Sequence, residues 1–183
     1  DDDFDNVVHV IPPAQQRLNV LWVGTEKADD ARQPLLFLRL ALSDTPHLAV
    51  RVDTRAPSAP LLADEVKAAG AIFISEALSP TAAGELRAQI LAGKTVVLAP
   101  RNAEAGAALG ALLGRQDVPV TEMKPSNYAM LAEIDFKHPL FAPFADPRFS
   151  DFTKIHVERY RKLDLTAVTD ARVLAKFDSG DPA

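Results

Sequence analysis

Three runs of this chain are apolar at consecutive positions rather than at every second one: "LNVLWVG" at 18–24, "AIFIS" at 71–75 and "TVVLA" at 95–99. A strand that is apolar on both faces has to be covered on both, the condition of a parallel strand held between two layers of helices. A fourth run, "LAVRVDT" at 48–54, alternates instead, with Val50 and Val52 on one face and Arg51 and Asp53 on the other. One wet face places that strand near a sheet edge.

Helical patterns fill the intervals. "RQPLLFLRLALSD" at 32–44 carries a broad apolar stripe through Leu35, Leu36, Leu38, Leu40 and Leu42, and "SPTAAGELRAQILAGK" at 79–94 sets Ala83, Leu86 and Ile90 at helical spacing. In the second, Ser79 suits the N-cap, Pro80 the first helical position, and Gly93 the left-handed residue that stops the helix. A third helix is expected over 103–113, ending at Gly114, and its Gly106, Gly110 and Gly114 recur at every fourth position, a spacing that permits tight packing on the sheet. Strands alternating with helices predict right-handed crossovers and a three-layer α/β/α domain with a mostly parallel sheet. If the alternating strand is outermost, the order is 2-1-3-4, a flavodoxin-like arrangement.

The pattern changes after Val118. "HPLFAPFADPRFSDF" at 138–152 is too broken by proline for a long helix and too apolar for a disordered linker, so it reads as an ordered loop whose phenylalanines plug a gap in the core. An exposed patch at Phe141, Phe144 and Phe149 would instead mark self-association. "KIHVERY" at 154–160 alternates and predicts a strand with one wet face, and "ARVLAKFDSGDPA" at 171–183 predicts a strand that enters a turn at Asp178, Ser179 and Gly180. These later strands are expected to be partly antiparallel. The last one calls for a partner, expected in a continuation beyond Ala183. At the other end, "DDDFDNVVHVIPP" has a short alternation through Val8 and Val10 and a stiff Pro12-Pro13. Residues 1–16 therefore read as the closing strand and linker of a preceding β-domain, and 17–183 as the α/β domain. A start on "DDDFDN" rather than methionine is expected of a piece of a longer protein.

Composition removes several functions. With 183 residues, 48% of them apolar, the chain can bury a substantial core. Its net charge of -5, with Lys and Arg scattered, lacks the basic footprint of a nucleic-acid binder. There is no cysteine, hence no disulfide, thiolate metal site or thiol nucleophile. No segment approaches the roughly 20 apolar residues of a membrane span. The four histidines, His9, His47, His138 and His156, form no H-x-x-x-H or H-E-x-x-H pattern, and the acidic start lacks the Gly and Glu of an EF-hand loop, so no metal is expected. A glycine-rich phosphate cradle is also missing, and no cofactor is expected.

One turn invites chemistry. "GKTVVLAPRNAEAGAALG" at 93–110 reads as strand, sharp turn and small-residue helix, the layout on which α/β enzymes mount a nucleophile. Its apex holds Pro100, Arg101 and Asn102, none of which performs acyl transfer. Arg101, Asn102 and the following helix N-terminus could bind an anion, although a solvated loop accounts for the same residues. Ligands of open α/β sheets bind beyond the carboxyl ends of the strands. That edge is expected to hold Thr25, Glu26, Lys27, Thr54, Arg55, Ser75, Glu76, Arg101 and Asn102. Glu26, Arg55, Glu76, Arg101 and Asn102 are the candidates for a small polar ligand. With no acyl-transfer set in view, no catalytic residue is assigned; the alternative is a hydrolase or transferase that uses carboxylates and arginine there, with Glu26, Glu76 and Arg101 foremost.

The stretches "EALSPTAAGELRAQILAGKTVVLAP", "YAMLAEIDFKHPLFAPFADPRFSDFTKIHV" and "ARVLAKFDSGDPA" together resemble the class I glutamine amidotransferase-like domain of large bacterial membrane proteins, similar to the aerotolerance (BatA-type) group with a von Willebrand A-like domain. The resemblance covers nearly the whole chain. It implies a preceding β-sandwich, a membrane anchor elsewhere in the parent protein, a cell-envelope location on the periplasmic side, and partners that are proteins or other domains of the same parent. Amidotransferases of this class use a cysteine after a central strand. Here the matching position offers Pro100, Arg101 and Asn102, so the resemblance implies a domain without that reaction.

Overall fold

The central strand, β1 (Gln16–Val23), is followed by α1 (Pro34–Ala41), β2 (Leu48–Arg55), α2 (Ala63–Ala68), β3 (Ala71–Ile74), α3 (Pro80–Leu91), β4 (Thr95–Leu98) and α4 (Ala105–Leu113). The structure, a computed structural model, describes residues 14–183. The acidic start, His9 and most of the segment read as the end of a preceding β-domain lie outside the described residues.

The four strands form one parallel sheet in the order β2-β1-β3-β4, as expected from the alternation of β2. The chain steps one way from β1 to β2 and the other way from β2 to β3 and β4, so right-handed crossovers put α1 on one face and α2 and α3 on the other. On the latter face Leu21, Val23, Ile72 and Ile74 meet Val66 of α2, Leu86 of α3 and Leu112 of α4 in one core. The architecture is the flavodoxin-like three-layer α/β fold.

The punctuation of α3 is as its sequence implies: Ser79 Oγ accepts the N–H of Ala82 at 3.2 Å, Pro80 opens the helix, and Gly93 takes a φ of 93°. α1 is shorter than its apolar stripe, and Leu35 is fully buried whereas Leu40 is 64% exposed. α2 was not expected, since six residues are too few to show a helical period. The glycines of α4 serve a different neighbour from the one anticipated. A side chain at Gly106 would meet the carbonyl of Val118, and one at Gly110 the carbonyl of Gln116, so they admit the returning segment 116–118 rather than the sheet.

Beyond α4 the strands pair in antiparallel twos: β5 (Val120–Met123) with β7 (Tyr160–Leu163), and β6 (Leu131–Ile134) with β8 (Ala175–Phe177). A second, smaller core of Ala129, Tyr160 and Phe177 joins them. The strand expected over 154–160 begins only at Tyr160. Before it, Val157 makes a single bridge to Ala129, and Ile155 finds no layer to cover it. β8 does turn at 178–180, and the Phe177 N–H donates to the Asp181 carbonyl of the returning chain at 2.9 Å, so β8 finds partners within the described residues.

The phenylalanine loop does not plug the core. Phe149 is 60% exposed, Phe144 is also exposed, and Phe141 is half-buried. Order comes from hydrogen bonding: Asp135, Asp146 and Asp151 each accept the backbone N–H two residues on, closing tight turns. Phe136 and Phe144 pack on Phe152 with ring centroids 6.2 and 5.8 Å apart.

Candidate functional site

Parallel strands deliver their C-terminal residues to one edge. β1 delivers Gly24, Thr25 and Glu26, β3 delivers Ser75 and Glu76, and β4 delivers Arg101 and Asn102 in its turn toward α4. Four of the five ligand candidates, Glu26, Glu76, Arg101 and Asn102, come together there.

Glu26 is the anchor. Its side chain is fully buried, yet every polar direction is answered: Trp22 Nε1 donates to Oε2 at 2.8 Å and Arg101 Nη1 to Oε1 at 2.9 Å. The hydroxyl of Ser75, itself buried, donates to the carbonyl of Val23 at the 3.5 Å limit of a bond, and it lies beside the same carboxylate. Burial by itself pushes the Glu26 carboxyl up, but Ser75, Trp22, the residue's own amide and the Arg101 charge together outweigh it and hold the group below its ordinary value. Gly24 makes the cradle possible, because any side chain there would run into Glu26 Oε2, Ser75 Oγ and Trp22 Nε1.

Glu76 accepts from the Thr25 amide at 3.2 Å and from the Thr25 hydroxyl, and lies 4.0 Å from Arg101 Nη1. Asn102 Oδ1 accepts the N–H of Ala105, the first residue of α4, at 3.3 Å. The Arg101 carbonyl is gripped by Arg161 of β7, Nε at 3.1 Å and Nη2 at 2.8 Å, and Arg161 also pairs with Glu122 of β5 at 2.8 Å. The β5–β7 ribbon thus holds the turn from outside. Between these groups an open polar crevice of about 420 Å³ is lined by Thr25, Glu76, Ala77, Arg101, Asn102 and Glu104.

Arg55 is not part of it. As the last residue of β2, and paired in register with Val23, it points to the α2 face, where Glu65 takes its guanidinium in a two-pronged ion pair. It lines a separate groove of about 610 Å³ beside Asn19, Arg51, Asp53 and Asp64. The backbone N–H of Lys27 goes to Gln33, and Thr54 is exposed.

This arrangement weakens the anion reading of the turn. Arg101 is 46% exposed, but Glu26 balances its charge and Glu76 faces it, while Asn102 occupies the first amide of α4. An incoming anion would compete with carboxylates on every side; a neutral or amine-bearing polar group meets acceptors. Trp22 and Arg161 were not among the residues expected here. Trp22 looked like one more apolar strand residue, and Arg161 comes from a separate sheet sixty residues after Arg101. Local pattern carries neither.

Elsewhere, His138 Nδ1 accepts the Leu140 amide at 3.2 Å and His156 stacks on Tyr128 at 3.9 Å. Among the described residues no three His, Asp or Glu side chains gather as a metal-ligand set, and no helix is long and apolar enough to cross a membrane. Compared with known proteins, the chain matches no family model, no curated protein and no solved structure.

Proposed function

We propose that this chain is a non-catalytic, amidotransferase-like α/β module that binds a small polar ligand or a segment of a partner protein at the strand-end crevice. The observation that carries this reading is the Glu26–Arg101 ion pair: the turn after β4, where a nucleophile would be mounted, holds an arginine committed to a buried carboxylate. An amidotransferase of the class it resembles needs a thiolate, and the chain has no cysteine. The rival reading, a hydrolase or transferase built on Glu26, Glu76 and Arg101, needs a carboxyl that exchanges a proton near neutral pH. Glu26, held below its ordinary value by four sets of partners, is unsuited to that task.

The wider setting follows from the resemblance. As part of a membrane-anchored cell-envelope protein, with its anchor elsewhere in the parent, the module would meet other domains of that parent or soluble envelope proteins. The experiment is a two-part assay on the purified chain: ammonia release from glutamine, and amide chemical-shift mapping against a panel of amino acids, amines and sugars. The reading expects no ammonia, with shifts at Thr25, Glu76 and Asn102 for the ligands that bind. Turnover of glutamine, or of another ester or amide, that is lost in E26Q would replace the module with an enzyme.

A further inference from the structure

One wall of the strand-end crevice is set from outside it. Arg161, the second residue of β7, sends Nε at 3.1 Å and Nη2 at 2.8 Å to a single oxygen, the carbonyl of Arg101. The Arg161 side chain is only 21% exposed and is steadied by Glu122, its cross-strand partner on β5, at 2.8 Å. Two charge-assisted donors on one carbonyl exceed what the backbone needs for satisfaction, since a single bond already answers the acceptor. Their effect is directional. The peptide from Arg101 to Asn102 is planar and trans, so its N–H points opposite to its carbonyl. With the oxygen turned outward to β7, the Asn102 N–H faces away from the ribbon, and among the described residues it meets no acceptor. Rotating this peptide would break both bonds from Arg161.

We infer that Arg161 is a positioning residue for the crevice: it holds the Asn102 amide as a fixed donor for the oxygen of an uncharged ligand group. The inference rests on the crevice being a binding site, and it narrows what binds there. A free N–H recognises an acceptor oxygen. That oxygen has to be uncharged, because the carboxylates of Glu26, Glu76 and Glu104 outnumber the Arg101 guanidinium at this edge and repel a carboxylate or phosphate. An ammonium would find the carboxylates but leave the amide unanswered. A hydroxyl or a primary amide carries both an oxygen and a hydrogen, and so suits the Asn102 N–H and Glu76 together. Thr25 takes only Oε1 of Glu76, and Oε2 has no donor among the described residues.

Amide-resolved NMR titration of the chain with acetamide, ethylene glycol, sodium acetate and ethylammonium chloride, at matched ionic strength, tests it. Acetamide or ethylene glycol, the two arms that tell an amide from a hydroxyl, is expected to move the Asn102 amide proton downfield. Acetate and ethylammonium are expected to leave it in place. In R161Q the affinity of the probe that binds should fall about three- to tenfold, the loss of one hydrogen bond. R161K, a point charge in place of a fork, should restore little of it. Arg115→Ala is the control for simple loosening, because Arg115 ties down the chain just after β7, at the Ala167 carbonyl and Asp170, both at 2.8 Å, without touching the turn. Binding should be unchanged in R115A. Equal weakening in R115A and R161Q overturns the proposal, as does tighter binding of acetate or ethylammonium than of either neutral probe, or binding that shifts Thr25 and Glu76 but not Asn102. In those cases the crevice remains a site. If no probe shifts any of these amides, the crevice itself fails as a site, and this inference fails with it.

Discussion

Arg101 Nη1 lies 2.9 Å from Oε1 of Glu26, a carboxylate with no exposure to solvent, and the pair ties the turn after β4 to the end of β1 across the intervening β3. Removing one member leaves the other's charge without its partner. Arg101→Ala is expected to cost about 1.5–3 kcal/mol, the range for a hydrogen bond to a charged group, with half-exposure of the arginine favouring the lower end. Urea denaturation measures it. If the ion pair is the cause, adding Glu26→Gln to Arg101→Ala costs less than Glu26→Gln alone; strict additivity would mean that the two side chains do not act together.

Gly24 is a steric requirement rather than a conformational one, since its φ is not in the left-handed region. Gly24→Ala forces Trp22, Glu26 and Ser75 apart and is expected to destabilise by about 1–3 kcal/mol through overpacking. Trp22 is the chain's one tryptophan, so its fluorescence reports on the cradle directly. The emission of G24A should shift relative to the wild type as the indole loses its bond to Glu26; an unchanged spectrum and midpoint would show that the cradle tolerates a methyl group.

Acid should unfold the protein through these carboxylates. Glu26 is held below its ordinary value, and so is Asp181, first by its bond from Lys162 and next by that from Tyr160. In the unfolded chain both return to roughly 4. The folded state therefore binds fewer protons, and the stabilisation is complete above that value and lost as pH falls through the lower, folded ones. The urea midpoint should be insensitive to these two groups from neutral pH to about 5 and should decline below it, less steeply in E26Q. A midpoint that rises on acidification would contradict the assignment.

Tyr160 anchors the second core by an O–H bond to Asp181 at 2.6 Å, with Ser179 Oγ 3.0 Å away. Tyr160→Phe keeps the packing on Phe177 but leaves Asp181 one donor short, at an expected cost of about 1.5–3 kcal/mol. Hydrogen exchange should accelerate in β6 and β8 before it does in β1 and β3. Uniform acceleration would indicate that both cores unfold as a unit.

The parallel sheet was legible because its signal is local: residues 18–24, 71–75 and 95–99 are apolar at nearly every position, and charges on alternate residues placed β2 at the edge. The strand-end site followed from topology, since parallel strands must bring Glu26, Glu76 and Arg101 to one side. What pattern could not convey was direction. Arg55 ends a strand like the others, yet its register with Val23 turns it toward Glu65 on the α2 face. The phenylalanines of 138–152 looked like core because they are apolar, whereas aspartate-closed turns order that loop and leave Phe149 exposed. The partnership of Arg161 with the Arg101 carbonyl joins two sheets, and no local spacing encodes it.

The claim at the centre is that Glu26 is a structural anion and not a working acid or base. Carbon-13 NMR of the Glu26 carboxyl across a pH titration tests it most directly. The resonance should hold its ionised position from pH 8 down to about 5 and move only under more acid conditions, with the change displaced upward in R101A. A Glu26 carboxyl that titrates near neutrality in the wild type would contradict the account and reopen the crevice as a seat of proton transfer.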